Sequence, residues 1–419
     1  MIQRHRGGLM GKNIVFTVVD IGSTKVTCLI ASRNGQEDLE VIGSGTVQVE
    51  NIYRKGILKN IDRASLAISE AVAKAESEAQ LRVSNLTVGF SGDHLRSLNS
   101  LGVVAVSKTQ NQIGEQDVES VIEAAQAINL PFEREILHVL PQEFYIDQGD
   151  GVRDPIGNTG VRLEVQVHIV TASTAATQAI YKAVRNAGFE ITNLVMNPIV
   201  VGSSLLSAEE EEVGTLLLDI GGSTADVAVY HKGAVRHTAS IGIGGKYVTN
   251  DIAVGLQIPY GLAEQIKLSH GHCFPADIGP DEMIDIPEIG GRKKSRISRV
   301  LLASIIEARM EEIFSLALNA ARRSGYTDKL ACGLILTGGG ARLRGIDRLA
   351  EQVFSLPVKI GYPEKVNLPE EICGKPEYSA AVGLLAYSLR HPLEQENRRN
   401  LFARMFNKVE EVISSLFNI

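Results

Sequence analysis

Phe16-Thr-Val-Val-Asp20-Ile-Gly22-Ser23-Thr24-Lys25-Val-Thr-Cys-Leu-Ile30 reads as an apolar strand, a tight polar turn and a second apolar strand. Leu216-Leu-Leu-Asp219-Ile-Gly221-Gly222-Ser223-Thr224-Ala-Asp226-Val-Ala-Val229 repeats the design further along the chain. Glycine supplies the positive backbone angles that such turns need. One hairpin of this kind carries little weight, because a plain β-turn uses the same letters. Two of them with matching flanking strands, one opening each half of the chain, predict a duplicated α/β fold.

The turns also have a chemistry. Gly with Ser or Thr points several backbone N–H groups in one direction, and such a nest binds phosphate oxygens without a lysine. The hydroxyls of Ser23, Thr24, Ser223 and Thr224 add donors, and Lys25 adds positive charge. Bare carboxylates at Asp20 and Asp219 would repel a phosphate. A divalent cation between them removes the conflict. Mg²⁺ prefers oxygen ligands, keeps several waters and bridges to phosphate, so Asp20 and Asp219 are expected to orient its water shell.

A third signal is Leu334-Ile-Leu-Thr-Gly338-Gly339-Gly340-Ala-Arg342, a short buried strand running into three glycines. Taken alone it is either a bare left-handed turn or a place where backbone approaches a flat ligand closely. The order along the chain decides. A hairpin, a small-residue helix at Ile199 to Leu206, a hairpin, a strand with a triple glycine and a small-residue helix at Ser379 to Leu389 predict a nucleotide between two halves.

Composition sets the frame. The 419 residues suit two large domains rather than one core. Hydrophobic content of 44% and charged content of 22% are ordinary for a globular protein. A net charge of −7 gives no global pull toward nucleic acid, so none is expected as a partner. The four cysteines, Cys28, Cys273, Cys332 and Cys373, form no CxxC pair, and a reduced compartment is the simple reading. Met1 to Asn13 is basic without an apolar core, so it is not read as a signal peptide, and Met10 is an alternative start. No run of about 18 apolar residues predicts a membrane span.

Periodicity predicts helices over Arg63 to Gln80, Glu115 to Asn129, Ala175 to Gly188 and Ile297 to Arg323, and a strand over Leu163 to Ala172. The acidic run Glu209 to Glu212 is expected to be a solvated loop between the halves. His270-Gly-His272-Cys273 has no second Cys/His cluster to complete a tetrahedral metal site, so an exposed loop is expected.

The ordered set resembles the superfamily of actin, the heat-shock chaperones and the sugar kinases. The resemblance implies ATP with Mg²⁺, gripped at its phosphates by the two hairpins. It places Gly338, Gly339 and Gly340 against adenosine, and the two small-residue helices at an interdomain hinge. Ile243-Gly244-Gly245-Lys246 resembles the glycine pair lining the nucleotide in the second half. Ala263-Glu264-Gln265-Ile266-Lys267 resembles the helix contacting the adenosine. Glu264 and Lys267 share one helix face, and either one alone is also read as an ordinary surface ion pair.

Longer segments narrow the resemblance. His138-Val-Leu-Pro141-Gln-Glu143-Phe-Tyr-Ile-Asp147, Asp154-Pro-Ile-Gly157, Gly160-Val-Arg162-Leu, Phe90-Ser-Gly92, Ile289-Gly290-Gly291-Arg292 and Ser379-Ala-Ala-Val-Gly383-Leu are similar to the FtsA family of bacterial cell division proteins. The resemblance runs from about Asn13 to Leu389 and resumes at the tail. It implies a subdomain 1C in place of actin 1B, with a role in polymer contacts. The expected divisions are 13–86, 165–205 and 378–390 for subdomain 1A, 87–164 for 1C, 206–240 and 304–377 for 2A, and 241–303 for 2B. A linker over 391–400 and an amphipathic membrane-targeting helix over 401–419 complete them.

Family resemblance further implies a protein that polymerises at the division site on the cytoplasmic face of the inner membrane. It would tether FtsZ there, help assemble the Z ring for septum formation, and recruit later division proteins. Subdomain 2B would capture the FtsZ C-terminal tail, with Lys293 and Arg299 as carboxylate partners. In the tail, Leu401, Phe402, Met405, Phe406, Val409, Ile413, Leu416 and Phe417 follow the helical period as one apolar face, and basic residues load the first half. Asn197-Pro198-Ile-Val-Val lacks a Gln or carboxylate to position an attacking water, so slow ATP turnover at most is expected. A sugar kinase would need a catalytic base that the sequence does not offer. A heat-shock chaperone would need a further peptide-binding domain. The FtsA-like component of pilus assembly machines is the nearer alternative.

Overall fold

The computed structural model describes residues 14–33, 39–54, 56–106, 111–287, 295–364 and 366–390. The first half opens with strands β1 (Ile14–Ile21), β2 (Lys25–Arg33) and β3 (Glu40–Gln48). A short ribbon, β4 (Tyr53–Arg54) and β5 (Ile57–Leu58), leads to helix α1 (Ile61–Ala79) and β6 (Asn85–Phe90). The chain then leaves the sheet for β7 (Arg96–Ala105), α2 (Glu115–Gln126), β8 (Arg134–Ile146) and β9 (Arg162–Ser173). It returns through α3 (Thr174–Asn186) and β10 (Glu190–Met196) to α4 (Asn197–Leu205).

A short helix α5 (Ala208–Val213) precedes the second half, which opens with β11 (Thr215–Ile220), β12 (Ala225–His231) and β13 (Ala234–Ile241). Helices α6 (Gly245–Leu256) and α7 (Tyr260–His270), the ribbon β14 (Met283–Ile286) with β15 (Ser295–Ser298), and the long α8 (Arg299–Arg322) follow. The half closes with β16 (Leu334–Thr337), α9 (Ile346–Phe354), β17 (Val358–Ile360) and α10 (Ser379–Arg390).

The duplication is visible in the sheets. The first has the order β10-β6-β1-β2-β3 and the second β17-β16-β11-β12-β13. In both, the hairpin strands pair antiparallel and the two strands beyond the first pair parallel. A parallel strand buried on both faces needs a continuous apolar run, and Thr215 to Ile220 is buried at every position. Each half keeps its own core, one around Phe90, Ile68 and Leu384 and the other around Phe314, Leu336 and Val229. The two small-residue helices pack together between the sheets, where Ser204 Oγ of α4 donates to the carbonyl of Ser379 at 3.0 Å.

The segment over Glu209 to Glu212 is not a loop. It is helix α5, and its signal is a capping box. Ser207 Oγ accepts from the Glu210 N–H while the Glu210 carboxylate accepts from the Ser207 N–H. Acidic residues in a first turn also favour the helix dipole. The helix predicted over Ile297 to Arg323 starts later than its period suggests, because Ile297 lies in β15, paired with Ile284.

The inserted unit is a three-stranded sheet, β7-β9-β8, with α2 on one face. It belongs to the first half by sequence, yet it bonds to the edge strand of the second. Gln142 Nε2 donates to the Val235 carbonyl at 2.7 Å, and Ser97 Oγ to the Thr238 carbonyl at 2.7 Å. His168, fully buried, lies between Asn99 Oδ1 (2.7 Å from Nδ1) and Thr238 Oγ1 (2.9 Å from Nε2). An amide oxygen only accepts, so Nδ1 carries the proton and the Thr238 hydroxyl donates to Nε2. Burial, with His237 beside it, pushes the His168 pKa down to about 3 and keeps the ring neutral.

Candidate nucleotide site

A cavity of about 110 Å³ lies between the two turns. Asp20, Gly22, Ser23, Thr24 and Lys25 line it from the first half. Asp219, Gly221, Gly222, Ser223 and Thr224 line it from the second. Gly338 and Gly339 close it at the end of β16. Gly338 has φ +81°, and a Cβ there would stand 2.1 Å from Asp219 Oδ1, so only glycine fits. The turns touch each other: a Cβ on Gly222 would meet Thr24 Cγ2 at 2.6 Å and Ser23 Oγ at 2.7 Å.

The other expected residues sit one layer back. Gly340 packs against Ile220. Gly245 N–H donates to the Gly221 carbonyl at 2.9 Å, and Gly244 lies against the same carbonyl. Glu264 and Lys267 form an ion pair at 2.7 Å, and Lys267 Nζ also donates to the Gly245 carbonyl at 3.2 Å. They brace the glycine turn and do not line the cavity.

Of the cavity residues that the sequence does not mark as a site, Asp226 and Asn197 bear most on its chemistry. Asp226 is the register partner of Asp219 across β11 and β12, so both side chains share one face. Ser240 Oγ donates to its Oδ1 and Thr224 Oγ1 to its Oδ2. Asn197 stands at the start of α4, 7% exposed, and its Nδ2 donates to Asp20 Oδ1 at 3.0 Å. Its Oδ1 is buried without a partner. The search for a glutamine or carboxylate at this point of the chain passed over an amide.

Three buried carboxylates therefore converge on one small space. Burial, together with Asp226 and Asp20, pushes the Asp219 pKa well up. Burial and Asp20 push Asp226 up to about 6. Burial raises Asp20 against its bond from Asn197 and the charge of Lys25. Lys25 itself, desolvated, falls to about 8 and lies 3.3 Å from the centroid of the Tyr378 ring. Among the described residues no three His, Cys, Asp or Glu side chains are grouped to hold a metal by themselves. An all-oxygen set of separated carboxylates with an unpaired amide oxygen fits a hydrated Mg²⁺ shared with phosphate.

The raised carboxylates hold protons in the folded chain at pH values where the unfolded chain has lost them. Their contribution is complete below the ordinary value of 3.8 and is lost as pH rises through about 6 for Asp226. At 1.36 kcal/mol per pKa unit, Asp226 alone accounts for about 3 kcal/mol. Urea unfolding in EDTA should show that loss between pH 4 and 7. Asp226→Asn should remove it, and Mg²⁺ with nucleotide should stabilise more at pH 8 than at pH 5. An unchanged slope in Asp226→Asn would refute the assignment.

The profile described as "Cell division protein FtsA" matches residues 216–383, and "SHS2 domain inserted in FTSA" matches 92–171. The cell division protein FtsA of Pseudomonas aeruginosa is 40% identical over 380 residues, covering 91% of this chain and 90% of its own. That of Escherichia coli is 33% identical, covering 90% and 91%. The chain belongs to the FtsA family of cell division proteins.

Structural likeness agrees on the architecture. The chain has the actin-like ATPase fold, as in the PilM-PilN type IV pilus biogenesis complex, with a TM-score of 0.63, 18% identity, and 88% and 97% of the two chains covered. MreB5 of Spiroplasma citri bound to ADP has a TM-score of 0.56 at 14% identity, covering 92% and 98%. Identity of 18% shows the shared fold alone, so the pilus reading has less support than the division reading.

Within this FtsA-family chain the expected partner residues divide. Arg299 is ion-paired to Glu282 at 2.6 Å and donates to the His270 carbonyl at 3.2 Å. Lys293 and every tail residue from Leu401 to Phe417 lie outside the described residues. No described helix is long and apolar enough to cross a membrane. His272 Nδ1 accepts from the Phe274 N–H at 3.1 Å, and Cys273 is a buried thiol.

Proposed function

We propose that this FtsA-family protein binds ATP with Mg²⁺ between its two halves, polymerises on the cytoplasmic face of the inner membrane, and tethers FtsZ there. In that role it helps assemble the Z ring and recruits later division proteins. The observation that carries the reading is identity of 33–40% to cell division proteins over nine-tenths of the chain, joined to a cleft built from paired phosphate-type turns. The nucleotide acts mainly as a conformational ligand that favours the polymerising state. Turnover is slow at most: the Asn197 amide can orient a water but cannot take its proton, Asp20 and Asp219 serve the metal, and Asp226 is held by Ser240 and Thr224. In this reading 1A comprises 13–86, 165–205 and 378–390, 1C is 87–164, 2A comprises 206–240 and 304–377, and 2B is 241–303. Residues 391–400 link these to a membrane helix at 401–419.

Liposome sedimentation tests the reading. The full chain with MgATP should carry a labelled FtsZ C-terminal peptide down with anionic vesicles. Peptide left in the supernatant while the protein pellets would sink the tethering role.

Subdomain 2B would take the peptide near Lys293 and Arg299. Arg299 already holds Glu282, so an acidic peptide must compete for it or bind alongside. Arg299→Glu should weaken the peptide by roughly fivefold, the upper range for an exposed pair, and more at low salt. Unchanged affinity by fluorescence anisotropy at low salt would remove Arg299 from the interface.

A further inference from the structure

The two turns come from opposite halves, and one residue bonds to both. Lys246, near the start of α6, donates its backbone N–H to the Gly222 carbonyl of the second turn at 2.8 Å. Its ammonium donates to the Ser23 carbonyl of the first turn at 2.7 Å. The side chain is half-buried where Ser23 and Thr24 press against Gly222. An ammonium has three N–H donors, and a neutral carbonyl is a weaker acceptor than a phosphate oxygen. Burial lowers the pKa of Lys246, while Glu50 and Glu264 favour its charge.

Lys25 offers a contrast. It sits on the first turn and lies over the Tyr378 ring, so its place is set by the first turn and the segment before α10. Lys246 has its backbone tied to one turn and its charge delivered to the other. Its ammonium bonds Ser23, which lines the cavity although Lys246 itself does not, and it spans the two turns only while the halves are together.

We propose that Lys246 is a cross-cleft phosphate contact made only in the closed form, which retains the polyphosphate and does not help it enter. This rests on the nucleotide reading of the cleft. A contact made after closure slows escape and leaves the encounter unchanged. It also stabilises the closed form by its full interaction, since the open form lacks it.

Stopped-flow fluorescence with a fluorescent ATP analogue and Mg²⁺, on the full chain, separates the two rates. Lys246→Met should raise the dissociation rate roughly tenfold to a hundredfold, the loss of one charge-assisted hydrogen bond. The association rate should change less than twofold. Lys246→Arg should recover part of the retention. Lys246→Gln repeats the measurement with a polar side chain if the Met variant folds poorly. An unchanged dissociation rate overturns the proposal, and so does a fall in association alone, which would make Lys246 a steering charge. A wild-type chain that binds no analogue would instead refute the nucleotide reading itself.

Discussion

Arg236→Ala should destabilise the protein by about 3 kcal/mol, the lower end of the cost of breaking a buried ion pair. Arg236 has no exposed surface, and its Nη2 stands 3.4 Å from Glu143 Oε1. Its Nε donates to the His231 carbonyl at 2.8 Å, and the Tyr326 ring lies 5.5 Å from its guanidinium. Glu143 belongs to β8 of the inserted sheet and Arg236 to β13, so the pair joins the insert to the second half. Removing the cation leaves Glu143 in a desolvated place. Burial works to raise its pKa, while Lys232, Tyr145 and Arg236 together hold it below the usual range. Lys232, at 3.1 Å, would still answer its charge in the variant. For that reason the lower end is expected. Replacing both partners by apolar residues, Arg236→Met with Glu143→Leu, should recover most of the loss, because no buried charge remains unpaired. Urea unfolding of the single and double variants measures both values. A single variant as stable as wild type would show that the pair contributes nothing to holding the insert in place.

What the sequence discloses depends on how far the signal travels. The two hairpins are legible because apolar runs and turn glycines are local, and register then places Asp20 and Asp219 where the strands end. The triple glycine is legible for the same reason, although only two of its three residues reach the cavity. Asp226 is invisible as a site residue until Asp219 is known to face it across the hairpin. Asn197 lies 177 positions from the carboxylate it holds, and an amide is not what a search for a base looks for. Arg236 carries no local sign of burial, and it is buried because its partner comes from an insertion. Local patterns can also mislead. The acidic run of α5 looked like a loop, and the capping serine just before it was the feature that counted. Tertiary reach, rather than residue type, separates what was legible from what was not.

Removing residues 400–419 is expected to abolish binding to anionic liposomes and to leave ATP binding intact. From Leu401 the large apolar residues Phe402, Met405, Phe406, Val409, Val412, Ile413, Leu416 and Phe417 recur with the helical period and make one broad face. Arg398, Arg399, Arg404 and Lys408 load the first half with positive charge. The competing reading is a terminal helix docked on the protein's own core. Such a helix gains little from a cationic first half. An interfacial helix gains about 1 kcal/mol per basic residue near an anionic leaflet, besides what its aromatic and aliphatic side chains gain by burial. Phe406→Glu tests the apolar face separately. It exchanges a side chain whose burial is worth about 1.5–3 kcal/mol for a charge, so vesicle affinity should fall at least tenfold. ATP binding is the control, since the turns, Asn197 and the triple glycine all precede residue 391. If the truncated chain sediments with anionic vesicles as well as the full chain does, the helix is not the anchor, and the membrane contact must be sought on the folded halves.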